Sequence, residues 1–104
     1  MYQVCVLLKY RTAKPAFRKF ENKAFKLIAK HGGKLITAFE TEQSPLKNAP
    51  DEIHVLEFAS KAAFDAYRDD PAALGLLAER NAVILDTIIY TSAALVTYPD
   101  ESFD

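Results

Sequence analysis

The strands predicted from this sequence carry apolar side chains at consecutive positions, so both of their faces are apolar. Side chains alternate between the two faces of a strand. In the segment 2–10, Val4, Val6 and Leu8 would share one face, with Cys5 and Leu7 on the other. The segment 86–98 repeats this pattern, with Ile88, Tyr90, Ala94 and Val96 opposite Ile89, Ala93 and Leu95. Soluble proteins rarely expose large apolar patches, so a sheet of such strands needs cover on both faces.

The predicted order of elements is β-α-β-β-α-β. Strands are predicted at about residues 2–10, 34–42, 52–59 and 86–98, and helices at about 13–31, 61–69 and 71–83. This order is that of the ferredoxin-like α+β fold, a four-stranded antiparallel sheet with the helices on one face. Right-handed crossovers then make the first and third strands central. Residues 1–104 are predicted to form one domain.

Helices on one face leave the second apolar face of the sheet without cover. A chain of 104 residues buries only about two-thirds of its unfolded surface, so further burial by oligomerisation would stabilise it. Closed two-fold dimers are the commonest oligomers. The sequence therefore predicts a homodimer that packs sheet to sheet.

Charge is unevenly distributed, although the net charge is only −1. Nine lysines and arginines lie between Lys9 and Lys34, against the single acid Glu21. Such a surface could attract anions, including nucleic acid. Single-strand binding also needs exposed aromatic rings, and Phe17 and Phe20 fall on the apolar stripe of the helix instead. Nucleic-acid binding is therefore disfavoured, and a solvated lysine-rich face is favoured.

Several other site types are disfavoured by the residue inventory. Two histidines and one cysteine predict no metal site, and His31 is expected to cap the helix that Gly32 and Gly33 end. Three glycines cannot build a phosphate loop, and no cofactor is predicted. The N-terminal apolar run VCVLL is too short for a signal peptide or a membrane span. We therefore expect a cytoplasmic protein with no membrane partner.

The third strand carries two polar residues, His54 and Glu57, within an apolar stretch. They are three positions apart, so they point to opposite faces and cannot form one catalytic pair. The first strand is expected to run beside and parallel to the third, which would let Lys9 pair with Glu57 in a buried ion pair. The alternative is a carboxyl with a raised pKa in a cavity. The ion pair is favoured, because buried carboxylates are rare unless paired.

A pocket in this fold would be lined by polar groups that project from apolar elements. The candidates are His54, Tyr67, Tyr90, Tyr10 and Arg80. Tyrosine presents one hydroxyl on an apolar body, which suits a planar organic ligand. The alternative interpretation is ordinary core packing, with the hydroxyls bonded to the backbone.

The segments AKHGGKLI and VLEFASKAAFDAYRDDP, followed by Arg80, resemble the small domains of unknown function in the dimeric α+β barrel superfamily. The resemblance implies a dimer with a cavity between sheet and helices in each subunit. It also implies relatives among cofactor-independent monooxygenases, haem enzymes and lactone isomerases. This chain has no tryptophan, which the monooxygenase and haem-degrading members often use in the pocket.

These observations support one function and leave two alternatives open. The first is binding or conversion of a small hydrophobic or aromatic compound in the cavity, with any conversion resembling that of a cofactor-independent monooxygenase or isomerase. The second is a structural or regulatory dimer with a fully packed barrel. The third, and least favoured, is anion or nucleic-acid binding through the basic face of the first helix.

Overall fold

The sheet and its helices follow the predicted order, in a computed structural model that describes residues 1–99. The elements are β1 (Tyr2–Tyr10), α1 (Lys14–Lys30), β2 (Lys34–Glu40), β3 (Glu52–Phe58), α2 (Lys61–Asp69), α3 (Pro71–Leu74), α4 (Leu77–Val83) and β4 (Ile84–Thr91). The sheet order is β2-β3-β1-β4, and every pair of neighbours is antiparallel. This is the predicted ferredoxin-like α+β fold, with β1 and β3 central. The predicted domain also includes residues 100–104, which lie outside the described residues.

Two predictions about the strands were wrong. The strands β1 and β3 are antiparallel, not parallel, and Gln3 rather than Lys9 lies opposite Glu57. The last strand spans 84–91, not 86–98. It ends close to the start of β1, because Val4 pairs with Thr91 and Gln3 bonds to Ser92, which leaves only the first residues of β1 for anything later.

The predicted helix 71–83 is two short helices. The chain leaves α3 at Gly75 and starts α4 at Leu77. Asp70 caps α3 through a side-chain hydrogen bond from the Ala72 N–H, and Pro71 occupies the first turn, where its missing N–H costs little. Glycine is a poor helix former, which is in keeping with the break after one turn.

Helix α1 buries one stripe against the sheet. The stripe consists of Phe17, Phe20, Glu21, Ala24 and Ile28, at the spacings of three and four that place residues on one helix face. The helix ends at Lys30, and Gly32, two residues later, has a φ of +76°, which favours glycine. A side chain at Gly33 would lie 2.5 Å from the Ile28 side chain, so glycine permits the close approach of helix and sheet there.

The two faces of the sheet have different surroundings. Strand β3 alternates strictly, with Glu52, His54, Leu56 and Phe58 buried beneath the helices. The other face, here called the open face, leaves its apolar side chains half-buried or exposed. The register places these apolar residues on it: Cys5, Leu7, Phe39, Ile53, Val55, Ile88 and Tyr90.

Candidate functional site

A polar cluster lies on the helix face of the sheet and is centred on Glu52, the first residue of β3. Its carboxylate accepts hydrogen bonds from the Tyr10 hydroxyl at 2.6 Å, from the Arg18 guanidinium and from Nε2 of His54. Glu52 is 4 % exposed, so this carboxylate is buried with its partners supplied. Strand periodicity explains why Glu52 and His54 meet, since residues two apart share a face.

Hydrogen bonding keeps Glu52 ionised. Burial opposes ionisation, but the bonds from Tyr10, His54 and Arg18 outweigh it and hold the pKa of Glu52 below its ordinary value. Burial, together with the neighbouring Glu52 charge, raises the pKa of Tyr10 to about 12, so the phenol remains a donor. An ionised Glu52 can only accept, so His54 must carry a proton on Nε2. In neutral His54, Nδ1 is then an acceptor.

A second carboxyl, that of Glu21, lies on the other side of His54. Glu21 is 8 % exposed, and one of its oxygens lies 3.9 Å from Nδ1 of His54, beyond hydrogen-bond distance. Within residues 1–99 we find no hydrogen bond to this carboxyl. Burial and the negative charge of Glu52 raise the pKa of Glu21 to about 7, while Arg80 and Arg18 act in the opposite direction. Glu21 is therefore close to half-protonated at neutral pH.

Glu21 and His54 face a cleft between the sheet and the helices, with a volume of about 670 Å³. Its apolar floor is formed by β1, β3, α1 and α2. Floor residues include Val4, Val6, Leu8, Phe20, Ala24, Phe25, Ile28, Leu56 and Phe64. Its polar groups include Glu21, His54, Tyr67 and Arg80. Ligand sites generally occupy roughly 300–1,000 Å³ and combine an apolar lining with a few polar groups. The cleft has both properties.

Tyr67 and Arg80 occupy the helical wall of the cleft. Tyr67 is half-buried and stacks on Phe58, with ring centroids 6.0 Å apart. Burial, and then the charge of Glu21, raise the pKa of Tyr67, so its hydroxyl stays protonated at neutral pH. Arg80 donates a hydrogen bond to Oγ1 of Thr87 on β4, which directs the guanidinium toward the sheet. The cleft thus offers a phenol, an arginine and a titratable carboxyl.

The structure groups some of the predicted pocket residues and separates others. His54, Tyr67 and Arg80 line the same cleft. Tyr10 contacts the site through Glu52. Tyr90 is opposite Cys5 on the open face and is 63 % exposed, so it lies away from the cleft.

The predicted ion pair between Lys9 and Glu57 does not form within the protomer. The Lys9 ammonium donates to the Ala49 carbonyl at 3.2 Å, whereas Glu57 accepts from the Gln3 amide at 2.5 Å. The antiparallel register is the reason, because it places the two residues at opposite ends of the β1–β3 pair.

Sequence reasoning missed Glu21, Glu52 and Arg18. A signal for Glu21 was present, since it is an acid at a position of the α1 stripe that is otherwise apolar. A count of charges treats Glu21 as the one acid in a basic segment and does not show that it lies on the apolar stripe. Glu52 shares the parity of His54, which also places it on the helix face.

The basic residues of α1 are largely paired with acids of neighbouring elements. Lys14 contacts Glu40, Lys23 lies 2.7 Å from Glu79, and Lys30 lies 3.2 Å from Asp70. Nε2 of His31, at the end of α1, lies 2.8 Å from the same Asp70 carboxylate. These pairs favour the solvated lysine-rich face over an anion-binding surface.

Residues 1–99 carry neither a metal-binding cluster nor a membrane-spanning helix. In this part of the chain, no group of three or more histidine, cysteine, aspartate or glutamate side chains is placed to hold a metal ion. None of its helices is long and apolar enough to cross a membrane.

The topology and the cleft define a ferredoxin-like α+β protein with a ligand-sized cavity beneath its helices. A family model described as "Domain of unknown function (DUF1330)" matches residues 5–93. The chain belongs to this family, in agreement with the resemblance found in its sequence. Comparison with curated proteins gives no match.

Solved structures with the same fold include three that bear on this chain. A protein of unknown function from Rhodopseudomonas palustris is 18% identical with a TM-score of 0.76, covering 92% of this chain and 83% of that one. A dimeric ferredoxin-like protein of unknown function from Thermobifida fusca is 17% identical, with a TM-score of 0.61 and coverage of 89% and 90%. SnoaB, a cofactor-independent oxygenase from Streptomyces nogalater, is 15% identical, with a TM-score of 0.66 and coverage of 95% and 97%.

Proposed function

We propose that this protein binds a small hydrophobic or aromatic compound in the cleft and exchanges a proton with it through Glu21. One observation carries the proposal: a cleft of about 670 Å³ with an apolar floor contains a buried carboxyl to which no described residue donates a hydrogen bond. No described side-chain oxygen or nitrogen is both fully buried and without a hydrogen-bond partner, so the Glu21 carboxyl opens onto the cleft and is free to bond a ligand there. A ligand group that can share a proton with Glu21 would supply that partner.

The protonation state of Glu21 suits this role. General acids and bases work best when their pKa lies near the operating pH, and the pKa of Glu21 is about 7. His54 is held by Glu52 on one side and presents Nδ1 towards Glu21 on the other. The similarity in fold to a cofactor-independent oxygenase is in keeping with chemistry that depends on the residues of the chain itself.

A ligand screen tests the binding part of the proposal. Aromatic acids, lactones and haem would be tested for their effect on the melting temperature, since a ligand of the folded state raises it by mass action. Ala73 lines the cleft, so Ala73→Phe should place a phenyl ring in it and reduce the shift. Ala72→Phe, one position away on α3 and exposed, is the matched control and should leave the shift intact. The proposal fails if no compound binds, or if both variants bind equally well.

A bound compound with an acidic C–H group would test the proton-transfer part. Glu21→Gln keeps the shape of the side chain and removes its ability to accept a proton at neutral pH. We expect Glu21→Gln to bind the compound yet lose the exchange of that hydrogen for deuterium, followed by NMR in D2O. Exchange at the wild-type rate would remove Glu21 from this role.

We further propose that the protein is a homodimer that packs through the open face. Ile88 and Tyr90 are 42% and 63% exposed there, and they lie opposite Leu7 and Cys5 in the middle of the sheet. This contiguous apolar surface would be covered by the same face of a second copy, the self-complementary contact of a two-fold dimer. The dimeric protein from Thermobifida fusca supports the proposal through its shared fold.

Sedimentation equilibrium tests the dimer. Val55→Lys places a charge on the open face, and we expect this variant to sediment as a monomer at micromolar concentration. Leu46→Lys adds the same charge in the loop between β2 and β3, where Leu46 is 74 % exposed, and should leave the dimer intact. A wild-type protein that is monomeric at this concentration would refute the proposal.

A further inference from the structure

Three arginines, Arg11, Arg68 and Arg80, line the cleft. Among residues 1–99, none of the three forms an ion pair with a carboxylate. Arg11 donates to the Asn81 carbonyl at 2.9 Å, and the Arg68 guanidinium lies 5.5 Å from the centre of the Phe64 ring. The contacts found for these arginines are therefore with neutral groups, and Arg80 also acts on Glu21 through its charge.

The acids of the cleft do not balance these charges. Two acidic side chains line it, Glu21 and Asp86. Glu21 carries only part of a negative charge at neutral pH, because its pKa is about 7. An oxygen of Asp86 accepts the backbone N–H of Thr87 at 2.9 Å. With three arginines against these acids, the polar part of the cleft is net positive above an apolar floor.

Arg80 is the most enclosed of the three arginines. It is half-buried, whereas Arg11 and Arg68 are exposed. Its guanidinium has five N–H donors, and one hydrogen bond to Thr87 is found. A partly buried guanidinium with unused donors matches a carboxylate, which accepts two parallel hydrogen bonds from it.

Building on the proposed function, we propose that the ligand of this cleft is an aromatic carboxylate whose carboxylate group binds Arg80. The aromatic body would pack on the floor formed by Val6, Leu56 and Phe64. Arg11 and Arg68, being exposed, would attract the anion to the mouth of the cleft rather than hold it.

Matched pairs of acids and amides test this inference. The probes are 2-naphthoate against 2-naphthamide and 3-phenylpropanoate against 3-phenylpropanamide, titrated by calorimetry at pH 7.5. A charge-assisted hydrogen bond makes the acid of a pair bind at least about tenfold more tightly than the amide. Arg80→Gln should abolish that preference, because acid binding should fall by at least about tenfold more than amide binding. Lys47→Gln, which removes one positive charge from the exposed loop before β3, should keep the preference.

The outcomes separate this inference from the proposed function. If acid and amide bind equally well and Ala73→Phe weakens the binding of both, the carboxylate assignment is overturned, whereas the proposed binding of a small molecule in the cleft stands. Binding of no probe in either pair, together with a negative ligand screen, would overturn both.

Circular dichroism would establish that Arg80→Gln folds. Arg68→Gln, at an exposed position, provides a second variant and should slow association with the acid but not with the amide. Acid association at the wild-type rate would contradict the role given to the mouth arginines.

Discussion

Replacement of Glu21 by glutamine should make the protein more stable, and the gain should depend on pH. The folded protein holds the pKa of Glu21 at about 7, against its ordinary value of 4.5. The folded state therefore binds this proton more tightly than the unfolded state. The contribution of Glu21 to the free energy of unfolding is therefore largest below pH 4.5 and is lost as the pH rises from 4.5 through 7, because ionising the buried carboxyl costs free energy.

The size of the effect follows from the two pKa values. Each pKa unit corresponds to about 1.4 kcal/mol, so the rise from 4.5 to about 7 costs the wild type about 3 kcal/mol above pH 7. Glutamine does not ionise and carries no such cost. The charged and polar groups around the site, Arg18, Glu52, His54, Tyr67 and Arg80, are the same in both proteins, so most of their effect cancels in the difference.

Urea unfolding followed by circular dichroism would measure this difference between pH 4 and pH 8.5. Both proteins would be used at the same protomer concentration, since association contributes to apparent stability. The stability of Glu21→Gln relative to wild type should rise by about 3 kcal/mol between pH 4.5 and pH 8. Glu42→Gln, an exposed carboxyl in the loop after β2, is the control for loss of one charge. A difference that is flat with pH, or that falls as pH rises, would refute the reasoning.

Three further substitutions have expected outcomes that unfolding experiments can check. Gly33→Ala should destabilise the protein by about 1–3 kcal/mol, because the added Cβ would lie 2.5 Å from a neighbouring side chain. Tyr10→Phe should cost about 1–3 kcal/mol by removing a donor to the buried Glu52 carboxylate, and no loss would show that the remaining donors suffice. The His31 contact, the Ala72 N–H and Lys30 lower the pKa of Asp70 from 3.8 to about 2. Asp70→Asn should therefore destabilise the protein above pH 4, and this deficit should shrink as the pH falls from 3.8 towards 2.

Local periodicity accounts for the parts of the fold that the sequence predicts well. The stripe of α1 and the alternation of β3 follow from the turn of a helix and the pleat of a strand, and both are visible in a single segment. The end of β4 depends instead on where β1 begins, because a strand needs a partner to pair with. A residue such as Leu95 is compatible with a strand in isolation, and nothing in its own segment shows that the partner has ended.

The candidate site was harder to predict because it depends on which face of the sheet the helices cover. Parity alone groups Glu52 with His54 and Ile88 with Tyr90, and both groupings hold in the register. Parity does not say which group lies beneath the helices, so Tyr90 was placed with the pocket residues although it is on the open face. Glu21 required a different step, the recognition that a charged residue within an apolar stripe would be buried.

The position of His54 and Glu21 affects how Glu21 would exchange protons with water while a ligand occupies the cleft. Glu21, Phe25 and His54 line the large cleft and also a smaller pocket of about 310 Å³ behind it, which Glu52 borders as well. These three side chains therefore lie between the cleft and a second, open pocket. A ligand bound in the cleft would leave the second pocket accessible to water. We expect water in this second pocket to exchange protons with Glu21, so Glu21 could regain its starting protonation state before the ligand leaves the cleft.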